Sequence, residues 1–286
     1  MTVKLGANRY GKAETRLVHV VRDGPVHHLK DVNVSISLSG DMEAVHLTGD
    51  NAAVLPTDTQ KNTVYAFARK YGVGQIEVFA QRLARHFVAT QEAIRHARVE
   101  IEEYGWHRRG PHSFVRDGSE VRTCLIHHDE DGRTTVVSGL KDLVVLNTTG
   151  SEFHGFAVDE YTTLEPTTDR ILATAVDARW RHDGEPPSYG TSYAQVRQAL
   201  LDAFANTRSR SLQQTLYAMG ERALLTCEGI CEIRLALPNK HHFAVDLSPF
   251  GLTNDNEVFY AADRPYGLIE GGVLREDAPD AGFAWE

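Results

Sequence analysis

The sequence predicts an α+β fold of two tandem units, each an antiparallel sheet with helices on one face. Three observations predict it: alternating apolar and polar residues near the start, helix-period stretches that follow in pairs, and alternating segments that return after each pair.

The first element is the clearest. In "VNVSISL", Val32, Val34, Ile36 and Leu38 alternate with Asn33, Ser35 and Ser37, the pattern of a strand buried on one side. "RLVHVVRDGPVHHLK" supplies its hairpin partner, turning at Asp23-Gly24-Pro25. In "LPTDTQKNTVYAF", Thr57 and Gln60 stand at the spacing of a capping box, which predicts a helix start with the Thr57 hydroxyl as cap. A second helix carries Ile76, Phe79, Leu83 and Phe87 on one face. "ARVEIEEYGW", "EVRTCLIHH" and "RTTVVSGLKDLVVLN" then read as antiparallel strands, with "DEDG" as a solvated turn.

The second half repeats this plan. "DLVVLN" and "VDARWRH" precede one helix with Tyr193, Val196, Leu200 and Phe204 and another with Leu212, Leu216 and Met219; strands return as "EIRLALPNKHHFAVDL". The repetition suggests duplication, with the boundary between Ser138 and Asp142 and domains at 1–140 and 141–286. Open sheets leave edges that need covering, and closing sheets from several subunits into a barrel would remove them.

Composition narrows the function. The 286 residues hold 30 Lys plus Arg against 39 Asp plus Glu, a net charge of −9, which argues against a nucleic-acid partner. No apolar run approaches the ~20 residues of a membrane helix, and "MTVKLGANRYGK" lacks a signal-peptide core, so an intracellular protein without a membrane partner is expected. Cys124, Cys227 and Cys231 are read as buried thiols, because "CEGIC" has no second pair or nearby His to complete a zinc site. The His27-His28, His127-His128 and His241-His242 doublets point to opposite faces of a strand, which disfavours a metal. No nucleophile elbow, phosphate loop or dinucleotide fingerprint is present, so no cofactor is expected.

One resemblance spans nearly the whole chain. "RYGK" from Arg9, "TDTQKNTVY" from Thr57, "PHSFVRD" from Pro111, "LVVLNTTGSEFHGF", "DEYTTL", the "DR" ending at Arg170, "LQQTLY" from Leu212 and "LPNKHHFAVDL" from Leu237 resemble urate oxidase, in that family's order. The resemblance implies two tunnelling-fold domains per subunit, subunits paired into a β barrel, and two barrels stacked as a homotetramer. It implies oxidation of urate by O₂ and water to 5-hydroxyisourate and hydrogen peroxide, with neither metal nor organic cofactor.

It also implies roles. Urate is a flat anion with carbonyl and N–H edges, suited to one guanidinium and one amide. Arg170 and Gln213 would grip opposite edges, with the Leu212 N–H beside Gln213 and Phe153 stacked on the ring. Lys12 and Thr57 would move protons, with His241 extending the relay. Asn239 and the Thr57 hydroxyl would hold O₂, peroxide or water above the ring, and Asp58 would contact the purine through its main chain. Taken singly, each residue also has an ordinary role, from surface ion pair to core aromatic. Asn147 stands where the family often has Lys, Leu212 where a smaller Val can occur, and "GFAWE" lacks a peroxisomal address, which favours a bacterial cytoplasmic enzyme. The competing readings are a zinc-dependent tunnelling-fold enzyme acting on a pterin or purine, and a non-catalytic purine-binding protein.

Overall fold

The computed structural model describes residues 2–286. The chain forms two compact units. The first holds the chain up to Gly139 together with Gly184–Gly190 and Pro279–Glu286; the second holds Leu140–Asp183 and Thr191–Ala278.

In the first unit β1 (Tyr10–Val21), β2 (His28–Gly40), β3 (Ile94–Arg108) and β4 (Phe114–Asp129) pair in chain order, all antiparallel. The expected alternation fixes which side is buried. Val32, Val34, Ile36 and Leu38 share one core with Val99 and Ile101 of β3, Ile126 of β4, and the apolar faces of α2 (Thr57–Tyr71) and α3 (Ile76–Thr90). Glu77, in the first turn of α3, is fully buried; Arg122 donates to both its oxygens at 2.9 and 2.8 Å and Ser138 Oγ donates at 2.7 Å. A buried carboxylate needs that full complement of donors.

In the second unit the later part of β5 (Thr134–Phe153), then β6 (Thr167–His182), β7 (Ile230–Pro238) and β10 (Leu268–Leu274) follow one another across the sheet. Val176, Trp180, Ile233 and Leu235 pack with Val196, Leu200 and Phe204 of α4 (Tyr189–Asn206) and with Leu216 and Met219 of α5 (Leu212–Thr226). Asn147 donates to the Phe204 carbonyl at 2.9 Å, satisfying an acceptor in the last turn of α4. Cys124, Cys227 and Cys231 are free and buried, as read from sequence.

Three features differ from the sequence reading. The capping box does not form: α2 begins at Thr57 itself, Pro56 occupies the cap position, and no side chain caps the helix. Gln60 instead donates from Nε2 to the Leu55 carbonyl at 3.3 Å. Proline fixes an extended entry, so Thr57 falls one residue inside the helix, with its hydroxyl outside the cap position. Secondly, the strands read in "EIRLALPNKHHFAVDL" divide between two sheets. β7 stops at Pro238, which has no N–H to continue a ladder, and β8 (His242–Ala244) pairs separately with β9 (Phe259–Ala261). Thirdly, α1 (Glu43–Leu47), β9 and β10 are too short or too weakly alternating to have been expected.

Candidate active site

Phe153, Arg170, Leu212, Gln213, Asn239 and His241 line one cavity of about 660 Å³ in the second unit. Three elements bring them there. Phe153 ends β5 and Arg170 lies near the start of β6; the guanidinium sits over the Phe153 ring at 5.1 Å and its Nε donates to Ser151 Oγ at 3.5 Å. Phe153 stacks on Phe156 with centroids 5.0 Å apart and planes at 16°. Asp169 ties the two strands: it accepts from Thr149 Oγ1 at 2.8 Å and from the Gly150 N–H at 2.9 Å.

The segment before α5 is laced to the end of β5. Glu152 donates its N–H to the Ser209 carbonyl at 2.8 Å, Ser209 donates to the Gly150 carbonyl at 2.9 Å, and Arg208 donates to the Glu152 carboxylate at 3.0 Å. Ser211 then caps α5, its hydroxyl accepting from the Gln214 N–H at 3.2 Å. Leu212 and Gln213 are therefore the first two residues of α5, at the end where backbone N–H groups lack helical partners. Polar groups of an anionic ligand suit that position.

Asn239 and His241 follow β7. The Asn239 N–H donates to the Gly267 carbonyl, the Lys240 N–H to the Ala173 carbonyl, each at 2.8 Å, and the His241 carbonyl accepts from Ala262 at 2.9 Å. These bonds hold the backbone and leave both side chains on the cavity wall. His241 stacks on Phe243 at 5.8 Å and 19°. Burial first, then the charge of Arg170 and the neighbouring His242, lower the His241 pKa, so its imidazole is neutral at neutral pH and can accept or pass a proton. Burial also lowers the Arg170 pKa. A guanidinium remains charged under such a shift, so its positive charge stands in the cavity, where it suits an anion.

Lys12, Thr57 and Asp58 belong to the first unit and are not among the residues lining that cavity. Lys12 lies on β1, and Thr57 and Asp58 open α2. Lys12 pairs with Ile36, a helix-facing core residue, so it shares the face on which α2 packs. The backbone is shaped for this. Ala13 and Glu14 form a bulge between the Lys12 and Thr15 pairs, Glu14 takes a φ of 54°, and its N–H is held by Ser35 Oγ at 3.0 Å. Gly11 permits the close approach, since a Cβ there would lie 1.8 Å from the Ile36 carbonyl oxygen. Tyr10 accepts the Leu55 N–H at 3.0 Å and so anchors the entry to α2 beside β1. Lys61, above all, together with Asn62 and Lys12, holds the Asp58 carboxyl below its ordinary pKa.

The chain matches the family model described as Uricase over residues 8–127 and 136–270. The chain belongs to the uricase family of enzymes. It is 52% identical to the uricase of Arthrobacter globiformis, covering 96% of this chain and 91% of that one, and 37% identical to the uricase of Dictyostelium discoideum, covering 94% and 96%. The crystal structure of the Arthrobacter globiformis uricase superposes with a TM-score of 0.95 at 51% identity over 98% of both chains. Urate oxidase from Bacillus sp. TB-90 shares the fold, with a TM-score of 0.81 at 23% identity over 94% of this chain and 100% of that one.

Several residues that support the candidate site were not read from sequence. Ser151, Glu152 and Asp169 support Phe153, Arg170 and the entry to α5, and Tyr10 supports the entry to α2. Their partners are distant in the chain, so no local pattern marks them. Among the described residues, no three His, Cys, Asp or Glu side chains group as metal ligands.

Proposed function

We propose that this uricase-family enzyme oxidises urate with O₂ and water to 5-hydroxyisourate and hydrogen peroxide, without metal or organic cofactor, as a homotetramer in the bacterial cytoplasm. The observation that carries the reading is the convergence of Arg170, Gln213, Phe153, Asn239 and His241 on one cavity of a chain that belongs to this family. Arg170 and Gln213 grip the two purine edges with the Leu212 N–H, and Phe153 stacks on the ring. Lys12 and Thr57 take up and deliver protons, Asp58 meets the purine through its main chain, and His241 extends the relay. Asn239 and the Thr57 hydroxyl hold O₂, peroxide or water above the ring. The deprotonated substrate is itself the electron donor, and the protein orients it and shields it from water. Two electrons pass from urate to O₂, which leaves as peroxide, while water supplies the hydroxyl added to the ring.

The two units correspond on this reading to two tunnelling-fold domains, 1–140 and 141–286, whose sheets close into a barrel between subunits. Each site then takes Lys12, Thr57 and Asp58 from one subunit and Arg170, Gln213, Asn239 and His241 from its neighbour. Support comes from the division of the two groups between the two units, with only the second group lining the cavity. The test is an assay in chelator-treated buffer that follows urate absorbance, O₂ uptake and peroxide together. Equal consumption of urate and O₂ with equal peroxide is expected. Stoichiometric bound zinc and activity lost on chelation would overturn the cofactor-free reaction.

A further inference from the structure

The His241-His242 doublet departs from its sequence reading. Adjacent residues of a straight strand face opposite ways, yet His241 and His242 both line the cavity that holds Arg170 and Gln213. The backbone explains it. His241 lies outside both strands, between the end of β7 at Pro238 and the start of β8 at His242, on a path fixed by the Lys240 and Ala262 N–H bonds. Both histidines are half-buried, so each reaches solvent as well as the cavity wall.

One nitrogen of His242 is committed. Nδ1 lies 2.9 Å from the Lys240 carbonyl, and a carbonyl only accepts, so Nδ1 donates whether the ring is neutral or charged. Nε2 is therefore the atom at which this ring gains and loses a proton. His241 feels that charge: after burial and Arg170, His242 is the third cause that lowers its pKa. The two rings disfavour being charged together, so a proton held by one is passed on rather than joined by a second.

The proposed urate reaction, on which this inference rests, needs a proton from outside. Urate monoanion loses two electrons and gains the hydroxyl of water, which releases one proton. O₂ takes the two electrons and two protons to become hydrogen peroxide. One proton per turnover must then come from solvent. We propose that His242 is its entry: Nε2 binds a proton from solvent and releases it to His241, which passes it to the reduced oxygen. Among the other ionisable side chains on this wall, Arg170 stays a protonated guanidinium, and Asp169 is a carboxylate held below its ordinary pKa, chiefly by Thr149. Glu165, an exposed carboxylate, is the one remaining rival.

Steady-state kinetics of the full-length protein with urate and O₂ test this. His242→Gln keeps an amide donor for the Lys240 carbonyl but takes up no proton, and His242→Ala leaves room for free imidazole. Both should lower kcat by at least about tenfold, toward the range for lost general acid catalysis, while an inert purine analogue binds within about twofold of wild type. Added imidazole should raise the kcat of His242→Ala with its concentration and leave wild type unchanged, a response that a purely structural loss would not show. Glu165→Gln should stay within about twofold of wild-type turnover. Folded His242→Gln at the wild-type rate, a slow His242→Ala indifferent to imidazole, or a loss that follows Glu165→Gln instead would each overturn the inference. Wild-type protein that consumes no urate would overturn the urate reaction itself.

Discussion

At Thr57, one residue of chain decides between a structural and a chemical role. A Thr one position earlier would cap the helix; following Pro56 it does not, and the proposed function gives its hydroxyl a chemical role instead. Thr57→Ala should therefore lower turnover by about 10²- to 10⁴-fold, the range for lost proton transfer, with stability changed by less than about 0.5 kcal/mol. Steady-state kinetics beside urea denaturation separate the two effects, and a stability loss near that of a missing cap would restore the capping role. On the proposed function Arg170 acts on both ligand and neighbour. Arg170→Gln should weaken urate and anionic analogues alike by about 1.5 to 3 kcal/mol. It also removes a positive charge that disfavours imidazolium at His241. The His241 pKa should then rise toward its ordinary value, moving the protonation step to higher pH. Imidazole NMR titration of the ligand-free protein reads this, and an unmoved resonance would separate the two residues.

Elements carry these side chains only through register. The β1 bulge and Gly11 set Lys12 beside α2, at a point where β1 and β2 leave no room for a methyl group. Gly11→Ala should force the pair apart, costing about 1 to 3 kcal/mol as overpacking does. Turnover should fall with it, because Lys12 is the next residue; full thermal stability with full turnover would show that the strands relax at no cost. "RYGK" was legible as a motif, but the reason for its glycine was not, since the clashing carbonyl comes from another strand. The same holds for β5 and α5. Alternation and helical spacing predicted both elements, whereas the Glu152, Ser209 and Arg208 contacts that place Gln213 near Phe153 join residues far apart in sequence.

For the whole molecule, acid should be destabilising through histidines held neutral. His127 in the unfolded chain titrates near 6.5, and in the folded protein near 4. Between those values the unfolded state binds more protons, so stability falls as pH falls, by up to about 3 kcal/mol from this residue once pH reaches the lower value. Urea midpoints across that range should decline, and His127→Gln should decline less; parallel curves would assign the loss to other groups. Assembly has its own prediction. With Lys12→Ala and Arg170→Ala each inactive, a mixed twofold pair collects both defects in one site and neither in the other. Random mixing makes roughly half the pairs mixed, so about a quarter of wild-type activity should return. Verified mixed assemblies as inactive as their parents would place both residues in one within-subunit site.

The sequence by itself determined the α+β class, the helix-facing sides of the strands, the burial of the three thiols and the family to which the chain belongs. These follow from local spacing and from motifs that stay in order along the chain. Tertiary structure alone decided that Pro56 displaces Thr57 from the cap, that Pro238 ends β7, that Ser151 stands beside Arg170, and that Asp169 bonds Thr149 and Gly150. It alone joined His96, His127 and Asp129 into one hydrogen-bonded chain. Periodicity reports which side of an element is apolar. Which side chains meet across strands depends on register, set by bulges, turns and packing between distant residues, and no local pattern records it.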